Sequence, residues 1–249
     1  MNTGDAKLIV NQVGDTEFSG TVSGSSLPTA GGFEKQGAGK LTLSGAFNRT
    51  RGTTINGGTL SISGNQTFAD NVSIASGATF SILASQPQTY SGIISGAGVF
   101  RKEGSGTLTL SGASTYSGNT EVSAGSLVVN ESLSDSTVVD VSSGATYTLG
   151  SSDTIGGLTG AGSVDLNGNQ LTVSQSATEA TFSGVISGST SASRLSKTGE
   201  GTLILSGDNT YAGNTSIGAG GLSVSGSLAD STVVDVSSGA TYTLGSSDT

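Results

Sequence analysis

The 249-residue sequence contains no cysteine, no histidine and no tryptophan, and it has only two prolines. Without cysteine, the chain can form neither a disulfide framework nor a thiolate metal site. Without histidine, it can form no Ser-His-Asp triad, no Cys-His pair and no histidine metal site. These absences exclude the enzyme classes that depend on a catalytic histidine or cysteine.

Charge and aromatic surface are also scarce, because charged residues make up 11% of the chain and aromatic residues 5%. The formal net charge is −9, from 9 basic and 18 acidic residues. Such an acidic balance disfavours nucleic acids and anionic membrane surfaces as partners. No apolar run approaches the length of a membrane span, so we expect no membrane insertion by this segment.

Glycine is abundant, at 41 residues. Glycine together with serine and threonine at this level can signal disorder. Here the low charge and the strand-like recurrence of apolar residues argue against disorder. A solenoid suits this composition, because each coil needs to bury only a few small or branched residues against its neighbours.

One stretch, from Ser196 to Gly226, organises the chain and has the sequence SKTGEGTLILSGDNTYAGNTSIGAGGLSVSG. Leu203 and Leu205 alternate with Thr202 and Ile204 in the two-residue rhythm of a strand. Two more short apolar steps follow, separated by Gly-Asn and Gly-Ala-Gly-Gly turns. Three short strands therefore fit into about thirty residues, which leaves no room for a helix.

The same pattern occurs twice earlier in the chain. Lys102 to Glu131 repeats it without a gap 95 residues upstream, and Lys35 to Ile62 repeats it a further 67 residues upstream. The shared core is Lys-x-Gly-x-Gly-x-Leu-x-Leu-Ser-Gly, followed by Thr-x-[Ile/Val] and Gly-x-Leu-x-[Val/Ile]. Internal repetition of this kind decides the architecture before any other feature.

This core resembles the passenger-associated repeat of bacterial autotransporters, the type V secreted surface proteins. In the third copy the matched residues are Lys197, Gly199, Gly201, Leu203, Leu205, Ser206, Gly207, Thr210, Tyr211, Gly213, Thr215, Ile217, Gly220, Leu222 and Val224. The first copy departs from the pattern, since Arg49 stands where Tyr116 and Tyr211 stand, and we expect Phe47 to pack in that turn instead. The resemblance implies a right-handed parallel β-helix on a bacterial surface, and it identifies no ligand.

We therefore predict an all-β fold, a right-handed parallel β-helix of about ten coils, as a single domain over residues 1–249. Its repeat units would span approximately residues 18–82, 90–181 and 182–249. The two repeat offsets differ by 28 residues, and 25 of these lie between Thr148 and Phe182. We interpret this insertion as one extra coil, which a solenoid accommodates without disturbing the others.

The alternation also predicts the core. The residues expected to be buried are Leu108, Leu110, Val122, Leu127, Val129, Leu203, Leu205, Ile217, Leu222 and Val224. Tyr116, Tyr147, Tyr211 and Tyr242 could form an exposed sugar-stacking surface, but we expect them to pack inward with the hydroxyl at the edge.

Paired carboxylates are the remaining candidates for catalysis, at Asp135 with Asp140 and at Asp230 with Asp235. These pairs are copies of each other in nearly identical segments. An active site is needed once, whereas a structural feature recurs in every coil, so we interpret them as solvated outer positions. We predict no catalytic residue, and the chain is not expected to be an enzyme.

Two glycine-containing stretches partly match ligand-binding loops. The stretch from Asp165 begins like a calcium loop, but the sixth and twelfth positions lack the required glycine and glutamate. Gly37-Ala-Gly39-Lys40 resembles part of a phosphate loop, but leucine follows the lysine. We therefore predict no metal and no cofactor, and we interpret the glycines as turn residues.

Two functions remain open at this point. The leading hypothesis is a structural and adhesive stalk segment of an autotransporter adhesin, exposed on the bacterial cell surface or released outside the cell. The alternative is a β-helical polysaccharide-processing enzyme or a carbohydrate-binding surface protein. On the leading hypothesis, host-surface or extracellular-matrix ligands would contact the non-repeated loops Pro28–Ala30, Gln86–Gln88 and Ser189–Ser193.

The chain ends suggest a longer protein. Met1 begins no recognisable signal peptide, no barrel domain is present, and Thr249 falls in the middle of a repeat unit. We expect the export and anchoring parts to lie elsewhere in a longer repetitive protein. We also expect self-association at the last coil, beside Tyr242 and Leu244, because an uncapped solenoid presents unpaired backbone groups.

Overall fold

The computed structural model describes residues 7–23, 32–48, 52–64, 69–176, 179–229 and 232–245. Within these ranges the chain forms short strands of two to five residues and no helix. All neighbouring strands pair in parallel. The fold is therefore a parallel β-solenoid of about ten turns, as predicted. Each full turn has three faces, which we number in the order in which the chain first visits them.

The second face is one continuous sheet of twelve strands. Because parallel strands lie ~4.8 Å apart, this stack is roughly 50 Å long. Its strands are Thr16–Phe18, Lys40–Leu43, Thr59–Ser63, Thr79–Leu83, Val99–Glu103, Thr120–Val122, Val138–Val141, Gly157–Gly160, Glu179–Phe182, Thr202–Leu205, Gly221–Val224 and Thr241–Leu244.

The first face carries two five-stranded sheets. Between them the chain continues the stack without regular strands, since the amide of Thr115 donates to the carbonyl of Ile94 at 2.8 Å. The strands are Leu8–Asn11, Phe33–Gln36, Thr53–Ile55, Val72–Ile74 and Ile94–Gly96, then Asp153–Ile155, Gln170–Ser174, Arg194–Thr198, Thr215–Ile217 and Val234–Val236.

The third face has a two-stranded sheet followed by a six-stranded sheet. Its strands are Val22–Ser23 and Phe47–Asn48, then Gln88–Tyr90, Thr107–Leu110, Ser126–Val129, Thr146–Leu149, Ser163–Asp165 and Val185–Ser187. The insertion predicted between Thr148 and Phe182 supplies Gly157–Gly160, Ser163–Asp165 and Gln170–Ser174, which is one strand on each face. It is therefore a complete extra coil, as the repeat offsets indicated.

The core runs as columns of inward side chains along the axis. In-register pairing places Leu108 on Leu127 and Leu203 on Leu222, while the intervening residues point outward. All ten residues that the alternation predicted to be buried are 2% exposed or less. Each coil thus buries a few apolar side chains against the coils on both sides, which stabilises the stack by roughly 25 cal/mol per Å² of apolar surface removed from water.

Aromatic residues form part of this core. Tyr116, Tyr147 and Tyr211 are fully buried, and Tyr242 in the last described coil is half-buried and packs on the core. The expectation of inward packing is therefore confirmed for these tyrosines. The predicted place of the hydroxyl at the edge was wrong for Tyr116, Tyr147 and Tyr211, whose hydroxyls are buried and hydrogen-bonded inside the fold. The described residues include no helix that is long and apolar enough to span a membrane.

Candidate functional site: three lysines caged by backbone carbonyls

The carboxylates singled out in the sequence do not form a concentrated site. Asp135 and Asp235 are exposed, and Asp140 accepts a hydrogen bond from Thr159 Oγ1 at 2.8 Å. Asp230 lies outside the described residues. Among the described residues there is no group of three or more acidic side chains that could hold a metal ion.

The most unusual polar groups are three lysines in the core, one from each copy of the repeat. Lys35, Lys102 and Lys197 are fully buried. Each occupies an inward position in an apolar column, and Lys102, for example, pairs in register with Ile82 and Val122. The aliphatic part of the side chain therefore takes the place of a branched apolar residue, and the ammonium group must find partners inside the fold.

Those partners are backbone carbonyl oxygens at the corner between two faces. Lys102 Nζ donates to the oxygens of Glu103 at 3.1 Å, Gly104 at 2.8 Å and Ala124 at 2.9 Å. An ammonium group has three donors, so all of them are satisfied. The first two acceptors belong to its own corner and the third to the corner of the next coil, so the lysine joins two successive coils.

The other two copies build the same cage. In each copy the acceptors are the first, second and twenty-second residues after the lysine. They are Gln36 at 2.7 Å, Gly37 at 2.9 Å and Gly57 at 3.1 Å for Lys35, and Thr198 at 2.7 Å, Gly199 at 2.8 Å and Ala219 at 3.3 Å for Lys197.

The glycines of the motif allow the corners to stack closely enough for the carbonyls to converge. Gly104 has φ +81° and Gly125, in the next coil, has φ +65°, a region that residues with a side chain rarely adopt. A Cβ on Gly125 would lie 2.4 Å from the carbonyl oxygen of Gly106 and 2.5 Å from that of Gly104. The same arrangement explains the spacing Lys-x-Gly-x-Gly. The lysine ammonium group is bound by the carbonyl oxygens of the corner, and these oxygens can lie close together only where the neighbouring residues have no Cβ.

Burial makes the charged form of these lysines less favourable. It lowers the pKa of Lys102 to about 8, and it lowers the pKa of Lys35 and of Lys197, where the negative charge of Glu200 opposes the effect. At pH 7 the ammonium form of Lys102 still predominates and supplies all three donors. A neutral amine has only two N–H groups, so deprotonation removes one of the three hydrogen bonds from the lysine to the carbonyls.

A tyrosine–threonine pair accompanies the lysine in the second and third copies. The Tyr116 hydroxyl lies 2.6 Å from Thr120 Oγ1, and the Tyr211 hydroxyl lies 2.5 Å from Thr215 Oγ1. Both pairs are buried, and the Tyr116 ring packs on Phe100 with centroids 5.9 Å apart. The hydrogen bond lets a large aromatic ring fill the core without leaving its hydroxyl unpaired.

In the first copy, other residues take the place of this buried tyrosine–threonine pair. Phe47 packs edge-on against Phe33, with centroids 5.4 Å apart, so the predicted use of Phe47 is confirmed; Arg49 lies outside the described residues. Thr53, the counterpart of the paired threonines, donates instead to Asp70 Oδ2 at 2.7 Å. The ring and the hydroxyl of the missing tyrosine are thus replaced by two separate side chains.

One further carboxylate, Asp153, points into the core. Its Oδ2 accepts hydrogen bonds from the Leu133 amide at 3.2 Å and the Tyr147 hydroxyl at 3.1 Å, and its Oδ1 accepts one from the Thr154 amide at 2.9 Å. Burial raises the pKa of Asp153 to about 6, and the nearby Asp135 raises it slightly, while the three hydrogen bonds oppose the shift. Neither Asp153 nor Asp70 was singled out from the sequence.

Asp153 should make the protein less stable as the pH rises from about 4 to about 6. Its folded-state pKa lies above the unfolded value, so the folded state binds the extra proton in this window. The loss should be on the order of 2 kcal/mol, since one pKa unit corresponds to about 1.4 kcal/mol. Urea unfolding of the wild type and of Asp153→Asn at several pH values measures it. A difference between the two proteins that stays constant from pH 4 to pH 6 would contradict the assignment.

These polar groups are satisfied from within the fold, and their partners are carbonyls, amides and hydroxyls of adjacent coils. Such an arrangement fixes the spacing and register of the coils. It presents no group to a substrate, because the lysines and tyrosines concerned are fully buried.

Comparison with known families agrees with this arrangement. The model of the passenger-associated-transport-repeat family matches residues 33–62, 100–129 and 195–224, and each match contains one caged lysine with its two glycine corners. No curated protein matches the chain, and no solved structure does. The repeat family implies a surface or secreted protein. These three matches show that the chain carries three passenger-associated-transport-repeats, which match those of an autotransporter passenger.

Proposed function

We propose that this segment is a rigid spacer in the stalk of a bacterial surface adhesin. The observation that supports it is the uninterrupted second face, whose twelve strands stack in register from one end of the described chain to the other. Buried lysines tie successive coils together at three points along that stack. A rod of this kind holds whatever lies beyond it at a fixed distance from the cell.

The outer surface fits a spacer better than a binding site. On the first face Thr54, Ser73 and Ser95 follow one another in register, so this part of the column between the inward residues consists of small hydroxyl side chains. The charged side chains Arg101 and Glu121 on the second face neutralise each other at 2.6 Å. Small polar side chains make weak hot spots, since strong ones are rich in tryptophan, tyrosine and arginine.

Ligand contacts, where they exist, are expected at the non-repeated loops. Gln86 and Pro87 are exposed, whereas Gln88 is half-buried and begins a strand. Ser189 to Ala192 form an exposed turn, but the prediction was wrong for Ser193, which is fully buried and accepts the Gly168 amide at 3.1 Å. Pro28–Ala30 lies outside the described residues. We propose host-surface or extracellular-matrix molecules as the partners of these loops, with only weak binding by this segment alone.

Replacing residues 35–244 in the full-length surface protein tests the spacer function. The replacement is an unrelated β-solenoid of equal length, and adhesion of the displaying cells is measured at equal surface display. We expect adhesion to be retained, because a spacer contributes length and stiffness alone. A deletion of the same residues without replacement is the matched control and should reduce adhesion. Loss of adhesion with the equal-length replacement would show that the segment itself carries the binding site.

A further inference from the structure

Two asparagines in the sequence are followed directly by glycine, Asn56 before Gly57 and Asn167 before Gly168. An asparagine side chain can react with the backbone nitrogen of the next residue. Glycine favours this reaction, because it has no Cβ to restrict the approach of its nitrogen to the side chain. Both asparagines are exposed, so water reaches both. The hydrogen bonds around each pair therefore decide which of them reacts.

The Asn167–Gly168 pair is fixed on both sides. The amide of Gly168 donates to Ser193 Oγ at 3.1 Å, and Ser193 is fully buried. Asn167 Nδ2 donates to the carbonyl of Leu149 at 3.1 Å, and the amide of Asn167 donates to Asp165 Oδ1 at 2.9 Å. The backbone nitrogen that would react is thus bound to a buried group, and this hydrogen bond must break first.

The Asn56–Gly57 pair is fixed only through the side chain of Asn56. Its Nδ2 donates to Glu34 Oε1 at 2.6 Å. No residue in the described part of the chain accepts a hydrogen bond from the amide of Gly57. The nitrogen of Gly57 is therefore available to react with the side chain that precedes it.

This pair also lies at a lysine cage. The carbonyl of Gly57 accepts the hydrogen bond from Lys35 Nζ at 3.1 Å, and it is the acceptor that joins Lys35 to the next coil. At the same corner the second copy has Ser123–Ala124 and the third has Gly218–Ala219. Only the first of the three cages therefore has an asparagine directly before this carbonyl.

We propose that Asn56 is a site of spontaneous deamidation, and that its isoaspartate product opens the first lysine cage. The nitrogen of Gly57 loses its proton to hydroxide and attacks Cγ of Asn56. The new N–Cγ bond closes a cyclic imide, while the Cγ–Nδ2 bond breaks and Nδ2 takes a proton from water and leaves as ammonia. One water molecule then opens the imide. Cleavage of the N–Cγ bond gives aspartate, and cleavage of the original peptide bond gives isoaspartate.

Both products disturb this corner. Each carries a carboxylate where the side-chain amide donated to Glu34, and Glu34 is itself almost fully buried. A donor is therefore replaced by a like charge. Isoaspartate also adds one carbon to the main chain directly before Gly57, which displaces the carbonyl that binds Lys35. The first copy of the repeat should thus lose its cage with age, while the other two keep theirs.

Peptide mass spectrometry of folded protein, kept in mildly alkaline buffer, tests the site. Asn56 should convert to aspartate and isoaspartate roughly tenfold or more faster than Asn167, because only at Asn167 must the hydrogen bond of the next amide break first. The same chain in concentrated urea is the control, and there the two rates should be similar. Equal rates in the folded protein, or faster conversion at Asn167, would overturn the proposal.

Two variants test the structural reason for the difference. Ser193→Ala removes the acceptor of the Gly168 amide, so it should accelerate conversion of Asn167 and leave Asn56 unchanged. Asn56→Ser introduces the residue of the second copy and should release no ammonia from this position. An unchanged rate at Asn167 in folded Ser193→Ala would contradict protection by this hydrogen bond.

The effect on the cage is measured on the isoaspartate fraction, separated from aged protein by ion exchange. It should unfold at a lower urea concentration than fresh protein. Asn56→Asp adds the charge without the extra main-chain carbon, so its shift should be smaller. Aged Asn56→Ser should unfold like the fresh variant. If the isoaspartate fraction unfolds at the same urea concentration as Asn56→Asp, the product does not open the cage and that part of the proposal is wrong.

Discussion

Replacing Lys102 with alanine is expected to lower the free energy of unfolding by about 3–6 kcal/mol. The substitution removes a fully buried side chain from between Ile82 and Val122 and leaves a cavity in that column. It also leaves three converging carbonyl oxygens, including that of Ala124 in the next coil, without their donor. Urea unfolding followed by circular dichroism measures the effect.

Lys102→Met separates these two contributions. Methionine preserves most of the volume of the lysine stem but donates no hydrogen bond. The carbonyls of Gly104 and Ala124 therefore lose the lysine donor, while that of Glu103 keeps the Ala84 amide at 2.9 Å. A loss of about 1–3 kcal/mol is expected, smaller than for alanine. Removing a buried ion together with its partners can be neutral, but here the partners are backbone groups and remain in place.

Lys40→Ala is the surface control. Lys40 is 40% exposed and lies 3.9 Å from Glu103, so its loss should change stability by less than about 1 kcal/mol. The cage would be energetically unimportant if Lys102→Ala cost no more than Lys40→Ala.

The pH dependence gives a second readout of the cage. The folded-state pKa of Lys102 is about 8, below the unfolded value of 10.5, so between these values the unfolded state binds the extra proton. Stability rises with pH where the unfolded state holds more protons. The wild type should therefore gain stability relative to Lys102→Met between pH 8 and pH 10, and no change in that difference would contradict a caged ammonium group.

The sequence was sufficient for the backbone pattern, because strand alternation and the repeat offsets both follow from simple periodicities. Leu203 and Leu205 point inward as their alternation with Thr202 and Ile204 predicts, and the insertion after Thr148 forms a whole coil. Those inferences need only the two-residue period of a strand and the rule that solenoid coils stack in register.

The buried lysines were missed because a polar residue in a strand is ordinarily assigned to the outer face. The signal was present in the sequence, since Lys102 recurs with two glycines at fixed spacing in all three copies. To predict the buried lysine from this signal, one must know that the carbonyl of Ala124, twenty-two residues later, lies at the corresponding corner of the next coil. This separation of twenty-two residues is the length of one coil plus two residues of the corner. The length of a coil is known only from the structure.

The face on which each repeat lies was equally hidden. Lys35 and Lys197 lie on the first face, whereas Lys102 lies on the second, so the middle unit is rotated by one face. The number of residues in each coil determines the face on which a repeat lies. That number depends on loops whose sequences show no periodicity. Asp153 was missed for a related reason, because its burial comes from the coil above it and not from its own neighbours in sequence.

Replacing Gly104 with alanine is expected to cost about 3–5 kcal/mol, by combining backbone strain with overpacking. Gly104 has φ +81°, and a Cβ there would lie 2.5 Å from the carbonyl oxygen of Ala84 in the preceding coil. That oxygen accepts the amide of Gly106 at 2.8 Å, so moving it away breaks a hydrogen bond between coils. The carbonyl of Gly104 itself holds Lys102, so the same shift loosens the cage.

Gly144→Ala is the control without crowding. Gly144 occupies the same corner of the solenoid two coils further along. Its φ is +79°, nearly that of Gly104, but a Cβ there would meet nothing within 4 Å. Only backbone strain remains, and a cost of about 1–2 kcal/mol is expected. The difference between the two variants in urea unfolding therefore measures how tightly successive corners are stacked. Equal losses would mean that the corner glycines are required for their φ angle alone, and the explanation of Lys-x-Gly-x-Gly by close stacking of carbonyls around the lysine would be wrong.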